Sequence, residues 1–531
     1  MIPRIIHQTW RDENIPDKYR ELVDSWKSQH PGWTYRLWTD KDLDRLIAEN
    51  CPDFLDQFRA YGNPVQRADA GRYMILYMHG GVYADLDTLC HKPFDLLCNE
   101  ERIVLAHEPA EHFDAHCKVR NLDHVLFNGI IASPKGHPFW VMMLEEMKRC
   151  RYARNVLDTT GPLVLTACAQ RYDAPGSLCI NSCHIFNPLA KDGTQSRSER
   201  FGEYCDHHLS THYWFGSWFS PWSETPFRKI KKNARRIRHR LTRGPFMSQS
   251  QAVSLVDRAV LETPLDTSRP IPDQKICCLI PVRDAEPHLD RCIKLLRELD
   301  HPRANLKIAF CEGDSQDGTW SKLQSIEEKL RGEFAGIRCL RKNTGNRFDR
   351  ADRWKPRLQK QRRSGLAQVR NYLIDEALDD DADWALWIDA DVNHYPPDIL
   401  TRLLREQEKI VVPNCVLEPG GLTYDLNSFV VTDDNRDSAY YKHVHGGLYT
   451  PPVDTSKRLY FHDLRYCDRI KMNGVGGTML LVHASVHRAR IRFPEIPYQN
   501  LLETEGFGYW AHDCGIVPIG LPNTEIRHVR S

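Results

Sequence analysis

Two pairs of aspartates are spaced to do the same chemistry. Asp85 and Asp87 stand one residue apart just past two glycines in "GGVYADLD", and Asp389 and Asp391 repeat the spacing in "WALWIDADV". Carboxylates so placed at the end of a strand can hold a hard divalent cation through oxygen, and such an ion keeps positions open for water and substrate phosphate. One pair alone would be explained as well by acids solvating a strand end. Two, each closing an apolar run, point to one kind of site built twice, with a diphosphate as the third party. Upstream of the first pair, Asp69 and Arg72 lie three apart on a predicted helix and share a face, with Tyr73 beside them. An intrahelical ion pair is the plainer reading of that couple.

The elements that must position these acids can be read from periodicity. "VQRADAGRYMILYMHGG" predicts a helix, with Ala68, Met74, Ile75 and Met78 near one stripe and Gly80 and Gly81 as its stop. The strand "VYADLD" follows it, and "IPRIIHQTW" and "RIVLAHE" are further strand-like runs. At Ile276 the pattern restarts with the buried-strand composition "ICCLIPV", the amphipathic "HLDRCIKLLRELD" and a second strand, "LKIAFCE". Strand, helix, strand in that order predicts a parallel, Rossmann-like sheet that binds ligands off the carboxyl ends of its strands. The expected fold is α/β, with two such domains in tandem over residues 1–222 and 273–531 and a basic bridge at 223–272. The two halves do not align as a simple sequence repeat.

A chain of 531 residues has room for two to four domains at ~150 residues each. Lys and Arg number 72 against 71 Asp and Glu, so no global charge draws the chain to nucleic acid. The apolar runs fall short of the ~18 to 20 residues of a spanning helix, and the N-terminus shows no signal-peptide core. The 17 cysteines include no Cys-x-x-Cys, and several, such as Cys277, Cys278, Cys311 and Cys339, fall in strand-like runs. Free buried thiols fit this better than a disulfide framework, and the expected location is the cytoplasm. "FRKIKKNARRIRHRLTRG" carries nine Lys or Arg from Arg228 to Arg243. It reads as a solvated bridge or as a patch holding the chain to anionic lipid at the inner face of a membrane, at ~1 kcal/mol per basic residue. It has no interleaved aromatics for base stacking.

Five stretches of the first half, in order, resemble glycosyltransferase family 32 and, more distantly, the large clostridial glucosylating toxins. They are "IPRIIHQTW" with Gln8, "RADAGRYMILYMHGGVYADLD", "LFNGIIASPKGHPF", "TGPLVLT" and "HYWFGSW". The resemblance implies that Asp85 and Asp87 hold a metal and a nucleotide diphosphate. It also implies that Asp69 and Arg72 bind donor-sugar hydroxyls, that Gln8, Tyr83 and Asn128 line the donor pocket, that His212 is a C-terminal metal ligand, and that Trp218 closes over the diphosphate. Asp206, His207 and His208 are rivals for the His212 role. Gly71 departs from the family pattern, at a helix cost of roughly 1 kcal/mol against Ala, and is expected to loosen this site.

The second half opens like the nucleotide-sugar transferase fold called GT-A. Glu312, Asp314 and Asp317 are then candidates for ribose or base contacts, and a loop of turn-forming acids is the alternative. From Gln361 to Val529, "RRSGLAQVRNYLIDEAL", "DWALWIDADVNHYPPDIL", "VVPNCVLEPGGLTYDLNSF", "NGVGGTMLLVHASVHR" and "ETEGFGYWAHDCGIVPIGLPNTEIRHV" resemble glycosyltransferase family 62. This implies Asp389, Asp391 and His528 as metal ligands, and Arg370 and Asn371 on a helix facing the donor diphosphate. An Arg fork suits phosphate because its donors lie in one plane. Asn427 and the "GVGG" glycines would shape the sugar pocket. Glu503 and Glu505, two apart in an extended segment, would face one side, where one could receive the acceptor proton.

The resemblances imply a bifunctional, metal-dependent, retaining glycosyltransferase using Mn²⁺ or Mg²⁺. GDP-mannose is the donor expected at the second site, and GDP-mannose or a UDP-sugar at the first. The expected product is a glycan such as a capsule or lipid-linked polysaccharide; a toxin-like protein glycosyltransferase, or one active domain beside a silent glycan-binding one, are the alternatives. Trp10, Trp214, Trp218, Trp387 and Tyr424 are candidates for stacking on sugars or for packing cores.

Overall fold

The computed structural model describes residues 1–113, 122–215, 245–346, 355–432, 438–451 and 457–529, with 117, 119 and 120. The basic run 228–243 and Trp218 lie outside the described residues. The chain divides into two compact units, Met1–Trp222 with Asp463–Cys467, and Ser223–His462 with Asp468–Ser531.

In the first unit the strands are β1 (Ile5–Thr9), β2 (Thr34–Trp38), β3 (Gly81–Ala84), β4 (Thr88–Cys90), β5 (Ile103–His107), β6 (Leu126–Ser133), β7 (Leu178–Asn181) and β8 (Ser210–His212). Six of them form one sheet, in the order β2-β1-β3-β6-β5-β7. β1 runs parallel to β2 and β3, β6 is antiparallel to β3 and β5, and β5 is parallel to β7. β3 is buried at all four of its positions, which is why its sequence does not alternate. The helix feeding it is Pro64–His79. Asn63 caps its start in a reciprocal pair with Gln66, and Gly80, at φ +65, ends it. Gly71 is the contact point of this helix with its neighbour Asp40–Asn50, since a Cβ there would stand 2.8 Å from the Leu43 methyls. The glycine that departs from the family pattern is thus filled in by Leu43 rather than left as a gap.

In the second unit come β9 (Ile276–Val282), β10 (Leu306–Glu312), β11 (Gly336–Arg341), β12 (Trp384–Ile388), β13 (Val392–His394), β14 (Ile410–Val416) and β15 (Val430–Val431). They are followed by β16 (Val444–His445), β17 (Leu448–Tyr449), β18 (Arg458–Leu459), β19 (Ile470–Lys471), β20 (Met479–His483) and β21 (Ile519–His528). The main sheet runs β11-β10-β9-β12-β20-β14-β21-β13, with β19 also on β21. β9 is parallel to β10 and β12, β20 is antiparallel to β12 and β14, and β14 is parallel to β21.

The two sheets share a topology. β1-β3-β6-β5-β7 and β9-β12-β20-β14-β21 have the same spatial order, the same chain order and the same strand senses. In each, the aspartate pair follows the second of these strands, at the boundary where the parallel strands meet the antiparallel one. This mixed, mainly parallel arrangement is the GT-A type of α/β fold. In open α/β sheets ligands bind off the carboxyl ends of the strands, where both aspartate pairs lie.

Candidate active sites

Each aspartate pair lies in the turn after its strand, and a short strand then delivers a histidine to it by register. β4 begins one residue after Asp87 and pairs antiparallel with β8, setting Thr88 opposite His212. β13 begins one residue after Asp391 and pairs antiparallel with β21, setting Val392 opposite His528. Antiparallel pairing fixes which side chains stand together. His212 Nε2 lies 3.0 Å from Asp87 Oδ1, and His528 Nε2 lies 3.1 Å from Asp391 Oδ1. Among the rivals near His212, His208 bonds Thr211 instead.

The first aspartate of each pair meets an arginine from the preceding helix. Arg72 Nη2 is 3.2 Å from Asp85 Oδ1 and 2.9 Å from Asp69 Oδ1. Arg370 Nη2 is 3.2 Å from Asp389 Oδ1, and its Nε is 3.0 Å from Glu503 Oε1. The same chain of groups (acid, arginine, Asp-x-Asp, histidine) therefore stands in both units. In the first, Asp69 also accepts from Asn128 Nδ2 at 3.1 Å and Thr160 Oγ1 at 3.2 Å. The Tyr83 hydroxyl donates to Asp85 Oδ1 at 2.8 Å, and Gln8 Nε2 reaches the Asp85 carbonyl at 3.3 Å. Gln8, Asp69, Arg72, Tyr83, Asp85, Asp87, Asn128 and His212 are thus brought together. Thr160 and Gly129 belong with them too, and no acid or base marked either one in the sequence.

Charge is divided within each pair in the same way. Burial pushes Asp69 up to about 7. Burial, with the neighbouring Asp87, also raises Asp85 against the pull of Arg72. Burial acts to raise Asp87 as well, but the charge and hydrogen bond of His212 outweigh it and hold that carboxyl below its usual range. In the second unit burial pushes Asp389 up to about 7, opposed by Arg370 and helped by Asp391 and Asp425. Burial alone would raise Asp391, yet the His528 hydrogen bond and charge bring it down. For His528 burial acts to lower the pKa, and Asp391 reverses that into a rise.

A cation fits the first trio. Ligand atoms of Asp85, Asp87 and His212 all lie within 4.8 Å of one another, and oxygen and imidazole donors suit a divalent ion. Gly129 keeps the place open, because a Cβ there would stand 2.9 Å from Asp85 Oδ2 and 2.5 Å from the Phe127 ring. Among the described residues, Asp389, Asp391 and His528 are not gathered within that span. Their glycine counterparts sit nearby, where Cβ atoms would stand 2.1 Å from Asp425 Oδ2 at Gly476 and 2.3 Å from Arg370 Nη2 at Gly477. Asp425 was not singled out from the sequence. It pins this wall by accepting from Thr478 Oγ1 at 2.7 Å and the Asn427 N–H at 3.2 Å.

Several expected roles change. "ETEGF" is not extended but opens the helix Glu503–Asp513, and Arg363 reaches both glutamates, 3.8 Å from Glu503 Oε2 and 3.0 Å from Glu505 Oε2. Glu503, at φ +51, faces Arg370. Glu505 is bound at 3.0 Å by both Arg363 Nη1 and Arg458 Nη1, arginines that the sequence reading passed over. Both glutamates are ion-paired to arginines. Asn427 joins this group through Arg363 Nη2 at 3.4 Å. Asn371 is turned to the loop at Phe493 and Glu495, donating to Phe493 O and Glu495 Oε1 at 2.9 Å. Glu312 pairs with Arg341 at 2.7 Å. Asp314 accepts from the Thr344, Gly345 and Asn346 N–H groups, and Asp317 from those of Thr319 and Glu286. These acids pin loops. Trp387 is fully buried, whereas the Tyr424 ring lies 4.4 Å from that of His528.

A GT-A fold with Asp-x-Asp at the strand end defines the class: a glycosyltransferase. Residues 16–104 match the glycosyltransferase sugar-binding region containing the DXD motif, and residues 263–497 match Anp1. The chain is 30% identical to the mannan polymerase complex subunit mnn9 of Schizosaccharomyces pombe, over 44% of its own length and 75% of that protein's. It belongs to the Anp1 family through its second half, and the DXD match lies within its first half. The chain is also 36% identical to the inositol phosphoceramide mannosyltransferase 1 of S. pombe, over 31% of its own length and 50% of that protein. The chain spans about half the length of that relative. A mannosyltransferase from Pyrobaculum calidifontis, solved with GDP-Man and Mn²⁺, overlays at a TM-score of 0.30 and 14% identity, covering 57% of this chain and 68% of that one. The fold assignment rests on strand order, not on that overlay.

The expected cytoplasmic location does not stand. The relatives are fungal inositol phosphoceramide mannosyltransferases and mannan polymerase subunits. Among the described residues, no helix is long and apolar enough to cross a membrane, and no disulfide joins the cysteines.

Proposed function

We propose that the chain carries two metal-dependent sugar-transfer centres, each taking a nucleotide-diphosphate sugar, with GDP-mannose as the donor of the second and GDP-mannose or a UDP-sugar as that of the first. The observation that carries this is the repetition of acid, arginine, Asp-x-Asp and histidine at the same place in two sheets whose sequences do not align. Asp85, Asp87 and His212 would hold one ion, and Asp389, Asp391 and His528 the other. When bound, the ion opposes the charge that the diphosphate gains as it leaves, which is Lewis-acid stabilisation of the transition state. Arg72 and Arg370, anchored by Asp69 and Glu503, offer fixed guanidinium donors beside that charge.

In the second unit both buried glutamates are committed to arginines, so neither stands free as a protein base for the acceptor hydroxyl. This supports a retaining, same-face reaction in which the leaving diphosphate takes the proton; inversion would need a positioned base. The relatives' names suggest two acceptor classes, an inositol-phosphate lipid and a mannan, and either centre would take a polyol ring. Two transferases on one chain gain from effective concentration if one product is the other's acceptor.

A second reading, one active centre beside a silent glycan-binding unit, is favoured by a single observation: only the first trio gathers its ligand atoms. Product masses from GDP-mannose and a mannoside primer with Mn²⁺ separate the two readings. Two centres predict a different truncated product for Asp85→Asn/Asp87→Asn than for Asp389→Asn/Asp391→Asn. If one of these variants makes the wild-type product, that unit is silent. Full turnover in EDTA refutes metal dependence.

A further inference from the structure

The segment that brings His212 to the first centre continues as Tyr213, Trp214 and Phe215, and its conformation is costly. Trp214 lies at φ +53, a left-handed conformation that costs a non-glycine residue about 1 to 3 kcal/mol and collects at functional sites. The kink is held from both ends. The Tyr213 N–H donates to the Asp87 carbonyl and the Phe215 N–H to Asp87 Oδ2, both at 3.0 Å. Trp214 turns inward, with its Nε1 on the Leu189 carbonyl at 3.0 Å and its ring edge-on to His212. The result is that Tyr213 and Phe215, on either side of the turned-in residue, come to lie face to face. Their rings stack at 5.8 Å and 17°, and they stay 42% and 45% exposed. Tyr19 continues the row 6.0 Å beyond Phe215, and Trp10 lies 5.4 Å beyond Tyr19. Lys18 Nζ stands 5.5 Å over the Phe215 ring and 4.6 Å over that of Tyr19.

Two large exposed rings, fixed by strained backbone to an Asp-x-Asp carboxylate, are ill suited to stabilising the fold alone. We infer that Tyr213 and Phe215 form the acceptor subsite of the first centre, with the outer face of Tyr213 taking the C–H face of a pyranose ring and Phe215 stacked behind it. Aromatic faces that present an apolar body, with a few polar groups beside them, are the usual lining of such sites. Continuity with Asp87 places a sugar held there next to the reacting centre. The inference rests on the first unit being a transferase.

Saturation-transfer NMR on the full chain with methyl α-D-mannopyranoside, without donor, tests the platform apart from transfer. The expected result is saturation of the mannoside ring protons by the wild type, a fall of at least threefold in Tyr213→Ala, and recovery in Tyr213→Trp, with unchanged melting temperatures. Equal saturation in Tyr213→Ala, or no recovery in Tyr213→Trp, overturns the inference. So does loss of saturation to guanosine but not to mannoside, which would assign the rings to the donor base. GDP-mannose hydrolysis by the same samples reads the transfer proposal separately. Its absence in the wild type, with mannoside saturation intact, would sink the transfer role of the centre while leaving the platform as a sugar site.

Discussion

At the scale of single residues, both centres depend on groups that were legible by type and on others visible only by position. The aspartates stand out because each pair closes an apolar run, and Arg72 and Arg370 because each is a charged residue inside the helix that precedes such a run. Gly129 does not, because its role is to be absent from the space beside Asp85 Oδ2. Gly129→Ala places a carbon within 2.9 Å of that oxygen, and Mn²⁺ affinity at the first centre should fall at least tenfold, read by electron paramagnetic resonance, with little change at the second. Equal affinity would mean the ion does not use that oxygen. Asp69 makes a prediction in pH. Its carboxyl is pushed up to about 7 by burial, against about 4 in the unfolded chain. The folded state therefore binds the proton more tightly, so the stability this group contributes is full below about pH 4 and is lost as pH rises through about 7. Urea unfolding in EDTA should show a shallower loss of stability over that window in Asp69→Asn than in the wild type. The same slope in both would refute the assignment.

At the scale of elements, the helices and strands carry the acids to one place by register and close packing. Gly71 lets the Pro64–His79 helix approach Leu43 closely, so Gly71→Leu should destabilise the first unit by about 1 to 3 kcal/mol through overpacking. Gly71→Ala meets only the movable end of the Leu43 side chain and gains helix propensity, so it should be near neutral. Denaturant midpoints check both, and a neutral Gly71→Leu would contradict the packing. Much of this layer was readable in advance. "ICCLIPV" and "LKIAFCE" became β9 and β10 at the expected residues, because continuous apolar runs of that length mark buried strands. "VYADLD" reads as one strand, but the strand ends at Ala84, since the two acids occupy the turn. "ETEGF" was read as extended and is helical because burial and ion pairing with Arg363, Arg370 and Arg458 override a local pattern that is ambiguous over so few residues. The pairing of Thr88 with His212 and of Val392 with His528 joins residues more than a hundred positions apart, and no local pattern encodes it.

At the scale of the whole molecule, one architecture occurs twice without a visible sequence repeat. Five strands share order and sense in the two sheets, and the same four groups occupy the same boundary, although one half matches the DXD sugar-binding region and the other Anp1. Physical constraints explain why likeness survives in geometry alone. On the proposed function, a diphosphate and its ion would need carboxylates, a guanidinium and an open strand end, and the remaining positions would need only to pack. Counting bound Mn²⁺ by electron paramagnetic resonance with saturating GDP tests this most directly. Two ions per wild-type chain are predicted, falling to one in Asp85→Asn/Asp87→Asn, to one in Asp389→Asn/Asp391→Asn, and to none when all four are changed. A single ion in the wild type, or a count that neither pair of substitutions alters, would contradict two centres.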